Sequence, residues 1–189
     1  MTDLPWGDQR SIKFTTNVGL ITSHGKHGDN VSSAEWTHHV SYQPGLIAIC
    51  LKPSEATCEN ILETKEFGVS LSSSDMNVFV SVAGNNSARN IDKVAVLKEL
   101  GVEFYKAKHI KCLMVKNALL NIECKVIKEI ELGDHIMFVG EVLDAVAEDT
   151  KEPLVYHNLK FFKLGEQLHK PEQKELDRIA KIIEKYIKK

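Results

Sequence analysis

The strongest constraint on the fold of this chain is a pair of alternating segments on either side of Leu132-Gly133-Asp134. In the first, Leu120, Ile122, Cys124, Val126 and Ile130 share one side, opposite Asn121, Glu123, Lys125 and Glu129. A period of two sends successive side chains to opposite faces of a strand, which a helix cannot reproduce. The second segment, His135 to Leu143, follows the turn directly, so the two predict a β-hairpin. Other strand signals surround it. Ile12, Phe14, Thr16, Val18 and Leu20 alternate with polar residues and continue to Thr22. Leu46–Leu51 is an unbroken apolar run, too short for most helices, and predicts a strand buried on both faces. Phe67–Leu71, Val102–Ile110, Leu154–Tyr156 and Lys160–Leu164 predict further short strands.

Helical signals are few. Ser54 or Thr57 can cap a short helix, and Ser72 to Asp75 can cap a second over Met76–Ala83, ended by Gly84. Val94–Leu100 predicts a helical turn closed by Gly101. Pro171 opens a terminal helix with Leu176, Ile179, Ile183 and Ile187 on one stripe among Lys and Glu. The expected fold is mainly β, a β-barrel with helical decorations: residues 1–168 form one domain, followed by an amphipathic helix over 169–189. Parallel βαβ repetition is absent, as are the glycine-rich dinucleotide and nucleoside-triphosphate motifs, which argues against a Rossmann domain.

The stretch Asn30–Gly45 is the candidate ligand edge. Read as one strand, it places Ser33, Glu35, Thr37, His39 and Ser41 on a polar face and Ala34, Trp36, Val40 and Tyr42 on the other. Hydroxyls and strand amides there suit a polar, planar ligand. A formal charge of −2 leaves no surplus of cations for binding nucleic acid. No apolar run approaches the roughly 18 residues of a membrane span. The N-terminus carries neither the basic nor the apolar region of a signal peptide. Cys50, Cys58, Cys112 and Cys124 form no CxxC pair and are expected as reduced thiols of a cytoplasmic protein. His24-x-x-His27 and His38-His39 invite a metal, but neighbouring strand residues face apart and no cysteine or carboxylate cluster completes a tetrahedral set.

Several motifs in order resemble the flavin reductase-like proteins, especially the flavoredoxin branch. They are Asn30…Ser33…Ser41…Pro44, Thr57-x-x-Asn60-Ile61, Glu66-Phe67-x-Val69-x-Leu71, and Ser81-Val-Ala-Gly84-Asn-Asn-Ser87…Asp92-Lys93. Leu120…Glu123-Cys124, Gly133-Asp134-His135, Val139-Gly-Glu-Val142 and Pro153-Leu-Val-Tyr156 complete the series over about residues 10 to 165. The chain departs from that pattern at Asn158-Leu159, where many relatives have a Gly, and in lacking the Met-Thr-x-x-Ser of reductases that serve two-component monooxygenases.

The resemblance implies an FMN-binding split barrel, a homodimer with non-covalent FMN near the subunit interface, and NADH, NADPH or a redox protein partner as electron donor. On that basis Ser87, Arg89 and Lys93 are expected at the phosphate. Asn30, Ser32, Ser33 and Ser41 are expected as polar contacts, and the amides from Ala34 to Thr37 at the pyrimidine edge of the ring. Trp36 is expected against the flavin and His135 at its open face. Thr57 and Asn60 fit plain helix capping, while in the family that helix end also faces the cofactor. The function expected is an FMN flavoprotein of the flavoredoxin or NAD(P)H:flavin oxidoreductase kind. The alternative is an FMN-binding electron carrier without NAD(P)H turnover.

Overall fold

The computed structural model describes residues 2–187. In chain order the first strands are β1 (Thr15–Asn17), β2 (Gly19–Ser23), β3 (Asn30–Ala34), β4 (Thr37–Ser41) and β5 (Leu46–Leu51). Helix α1 (Ala56–Thr64), β6 (Glu66–Leu71), α2 (Asn77–Asn85) and α3 (Lys93–Glu99) follow. Then come β7 (Phe104–Lys106), β8 (Leu113–Val115), β9 (Leu120–Leu132), β10 (His135–Ala147), β11 (Val155–His157), β12 (Lys160–Phe162) and α4 (Gln173–Glu184).

The expected hairpin is β9 and β10, longer than its alternation suggested. Leu132 and His135 close it across a two-residue turn in which Gly133 has φ +59. It sits at the centre of a seven-stranded antiparallel sheet of order β3-β2-β6-β9-β10-β5-β4. Register shifts at Val139/Gly140 and Val142/Asp144 bend β10, as bulges do. At Gly140 the Phe67 ring fills the space a side chain would need, with Cζ 2.6 Å from an ideal Cβ.

The outer strands of this sheet, β3 and β4, are neighbours in sequence, joined only by Glu35 and Trp36. Three peptide steps span at most about 11 Å. A seven-stranded sheet can bring its edges that close only by curling almost shut, so the sheet forms a barrel with a gap at Glu35–Trp36. The expected β-barrel is therefore a split β-barrel. The single strand expected over Asn30–Gly45 is corrected to two strands on opposite edges. Its face assignment changes too: Thr37 is buried, whereas Trp36, Val40 and Tyr42 are exposed. Thr37 donates its hydroxyl to the Ala34 carbonyl at 3.1 Å, pinning the kink.

The barrel core holds Ile21, Ile49, Ile61, Phe67, Val69 and Phe138. A second core, with Val18, Leu20, Val80, Ala83, Leu97 and Leu154, lies between the sheet and α2 and α3. A small sheet β1-β11-β12 covers one end. The residues expected as caps do not cap: Glu55 is the N-cap of α1 and Met76 of α2, both without side-chain bonds, and Thr57 lies inside α1. Helix α3 is capped by Asp92, whose carboxylate accepts from the Ala95 amide at 2.9 Å. No residue of α4 is buried. The terminal helix, expected to run to Lys189, ends at Glu184, so Ile187 of the expected stripe lies past it; residues 188–189 lie outside the described residues.

Candidate functional site

The gap between the sheet edges opens into a cleft of about 470 Å³. Its floor and one wall come from the β3–β4 link (Ser33, Ala34, Glu35, Trp36) and from the end of β5, with Cys50, Leu51 and Lys52. The β9–β10 turn adds Asp134 and His135, and Tyr156, Asn158 and Leu159 complete the lining. Residues Leu4 to Gly7 flank the mouth. A second cleft of about 500 Å³ adjoins it and reaches α2 at Val80, Ser81, Gly84 and Asn85. Trp6, Ser33, Glu35, Tyr156 and Leu159 line both, so the two clefts form one groove.

Within the groove the His135 ring lies 4.6 Å from the Trp36 ring, tilted by 47°, and its Nδ1 is 2.7 Å from the Asp134 carboxylate. That hydrogen bond holds Asp134 below the usual carboxylate range. Burial pushes the Glu35 and Glu55 carboxyls up, with His135 acting against the rise in both, and pushes the Cys50 thiol up. Ser33 Oγ packs directly on Gly84, where any side chain would overlap it. Thr16 lines the first cleft, and its Oγ1 is buried without a hydrogen-bond partner.

Lys93 lies behind the wall beside α2. It is 3% exposed, and among the described residues its ammonium finds one acceptor, the Ala83 carbonyl at 3.1 Å. Burial lowers its pKa to about 8, against the pull of Glu55. A buried ammonium has three donors to satisfy, and one carbonyl leaves it short of partners and of counter-charge.

The structure divides the predicted residues into four groups. Ser33, Ala34, Trp36 and His135 meet at the first cleft. Lys93 lines neither cleft; its ammonium meets the Ala83 carbonyl, next to Gly84 in the lining of the second. Asn30, Thr57 and Asn60 are buried in a network under α1 that lines neither cleft: Asn30 Nδ2 donates to Thr57 Oγ1 at 2.8 Å. Asn60 Nδ2 donates to Ser23 Oγ and the Gly28 carbonyl, while Asn60 Oδ1 accepts from the His27 amide. All three of these bonds are internal; the Asn30 amide donates to the Thr57 hydroxyl, while Asn30 Oδ1 is buried without a partner.

Ser32, Thr37, Ser41, Ser87 and Arg89 also lie outside the lining of the groove. Ser87 Oγ accepts from the Arg89 amide at 3.3 Å. Arg89 joins Lys26 and His27 on Glu59, at 2.7, 2.7 and 2.6 Å, and the hydrogen bonds from His27, Lys26 and Arg89 lower the Glu59 pKa to about 2. Arg89 is thus held in an ion pair with Glu59, outside the lining of the groove.

Glu35, Lys52, Glu55, Tyr156 and Leu159 were missed. Glu35 lay within the motif stretch, and its position between two strands was the available signal. The His pairs hold no metal cluster: His24 bonds Asp29, His27 bonds Glu59, and among the described residues no three potential ligands converge. Among those residues, too, no helix is long and apolar enough to cross a membrane.

The model of the flavin reductase-like domain family matches residues 11–165. An uncharacterised protein of Pyrococcus abyssi is 32% identical over 137 residues, 71% of this chain and 77% of that one. A ferric-chelate reductase (NAD(P)H) of Archaeoglobus fulgidus is 28% identical over 81% of this chain and 88% of its own. The flavoredoxin of Desulfovibrio vulgaris (Miyazaki F) superposes with a TM-score of 0.74 at 24% identity, covering 92% of this chain and 98% of that one, a likeness of fold. This chain, a split barrel with its groove at the gap between sheet edges, matched by the domain model over residues 11–165, belongs to the flavin reductase-like family.

Proposed function

We propose that the protein is an FMN-binding oxidoreductase of the NAD(P)H:flavin reductase or flavoredoxin kind. The observation that carries this reading is the continuous groove, with an aromatic, hydrogen-bonding cleft at one end and, beside Gly84 at the other, the Ala83 carbonyl that holds a buried, under-partnered ammonium. FMN has that division of parts: a flat ring with polar edges, a hydroxylated chain and a dianionic phosphate. When bound, it supplies the acceptor for a hydride. The residues present fit it. Lys93 supplies the charge a phosphate needs, Ser33 a hydroxyl midway along the groove, and Thr16 an unpaired hydroxyl in the wall.

The rest of the chemistry is positioning. Trp36 and His135 form one wall of the ring cleft and hold each other through ring contact, while Asp134 fixes the imidazole. A nicotinamide must approach within about 3 to 3.5 Å of the accepting atom. Hydride transfer needs no compulsory acid or base from the protein, so His135 serves to orient the donor at the rim. We assign the protein as a homodimer: Val40 and Tyr42, on and just beyond edge strand β4, and Ile127 and Val146 on the long hairpin are apolar and exposed, from 52% to 91%.

One observation favours the second reading, an FMN-binding electron carrier served by a redox protein. Leu4, Pro5 and Trp6 line the cleft that a nicotinamide would enter and leave it less open to one. Anaerobic mixing of the FMN-loaded protein with NADH and with NADPH decides between the two. Bleaching of the flavin by either nucleotide supports the reductase; an unbleached flavin assigns the carrier role.

A further inference from the structure

A ligand that fills both clefts must thread past the five residues they share. Four of these are placed by the fold itself. Ser33 and Glu35 come with the end of β3, Tyr156 is fixed on β11 with its ring 5.5 Å from that of Phe161, and Trp6 belongs to the N-terminal turn. Leu159 is not explained in that way. It is the second residue of the two-residue turn that joins β11 to β12, closed by His157 and Lys160. Asn158 has φ +50 and Leu159 φ +58. Asparagine tolerates that region, but at the second position glycine is the relaxed choice, and a γ-branched side chain gains nothing from the turn. Nor does the core account for it, since Leu159 is 42% exposed. The side chain stands instead in the lining of both clefts.

We propose that Leu159 is a specificity-determining residue, an apolar gatepost that narrows the groove at the junction of its two clefts. It would admit ligands whose flat ring and charged end are joined by a thin, unbranched chain, and it would pack against that chain. The proposal rests on the flavin reading of the groove and adds to it the residue that recognises the linker.

The test compares wild type with Leu159→Ala and Leu159→Gly, using lumiflavin, riboflavin and FMN as ligands. Alanine removes the side chain beyond Cβ but keeps the left-handed strain, whereas glycine removes both. Both variants are expected to weaken riboflavin and FMN by about five- to tenfold, the loss of a few buried methyl groups. Lumiflavin, which has the ring without the chain, is expected to bind as before. Only the glycine variant is expected to gain thermal stability, about 2–4 °C in Tm. Should the alanine variant not fold, Leu159→Asn takes its place, because asparagine accepts the same backbone. Variants that bind FMN like wild type overturn the proposal, and so does an equal loss for lumiflavin, which would make Leu159 part of the ring wall. A wild-type protein that binds none of the three overturns the flavin reading itself.

Discussion

At the scale of single residues, Lys93 carries the sharpest consequences. Its pKa is held near 8 by burial, well below the ordinary lysine value of an unfolded chain. Between these values the unfolded state binds more protons, so the stability of the ligand-free protein should rise as pH climbs from about 8 towards 10. The affinity for FMN should fall over the same interval, because the deprotonated amine no longer balances the phosphate. Titrations of Tm and of FMN affinity from pH 7 to 10 check the opposite slopes, and Lys93→Met should flatten both. Replacing Lys93 with Ala should cost FMN more than riboflavin, as only FMN carries the dianion; equal losses would make Lys93 a structural residue. His135→Ala should slow reduction by NAD(P)H and leave FMN affinity within a few-fold. If affinity and Tm fell together at a constant rate per bound flavin, His135 would be a pin for the hairpin through Asp134 and Trp36. The meeting of Ser33, Trp36 and His135 at one cleft was legible in the sequence because motif order gives residue types in context. The commitment of Asn60 and Arg89 elsewhere was not, since a hydrogen-bond inventory depends on partners 30 or more residues away, such as His27 for Asn60 and Ser54 for Arg89.

At the scale of elements, most strands could be read because alternation with period two is a local property. The break between β3 and β4 could not. Ser33, Glu35, Thr37, His39 and Ser41 alternate straight through it, and nothing local says that one half pairs with β2 and the other with β5. Long-range pairing decided the kink, and with it the position of Glu35 and Trp36 at the gap. The terminal helix shows the converse. Its stripe was legible, and its helical period is confirmed over Gln173–Glu184, yet Leu176, Ile179 and Ile183 are 43%, 36% and 59% exposed and none is buried on the barrel. In the proposed homodimer, a second molecule is the surface it would cover. Truncation after Leu168 should leave Tm and FMN affinity of the barrel nearly unchanged while lowering the association state seen by analytical ultracentrifugation. An unaltered association state would exclude α4 from the interface and leave Val40, Tyr42 and the outer face of β9–β10 to form it. Tyr42→Glu should then break the dimer.

At the scale of the whole molecule, the groove takes its walls from the N-terminal segment, the β3–β4 link, β5, the β9–β10 turn and the β11–β12 turn, from Leu4 to Leu159. The sheet that carries it opens and ends on sequence neighbours, so its first and last ladders lie five strands apart while their chains touch. That arrangement orders events in time. Local hairpins close in microseconds, whereas the pairing of β6 with β9 must first span about fifty residues of intervening chain. The edges can face each other only after that step. Refolding from denaturant should therefore show β-sheet circular dichroism recovering before flavin fluorescence is quenched, however much FMN is supplied. A fragment ending at Lys116 should keep Lys93, Ser33 and Trp36 and still take up no flavin. On the proposed flavin reading, ligand uptake would be a clock for the closure of the barrel, and the yellow colour of the refolded chain would mark its last turn.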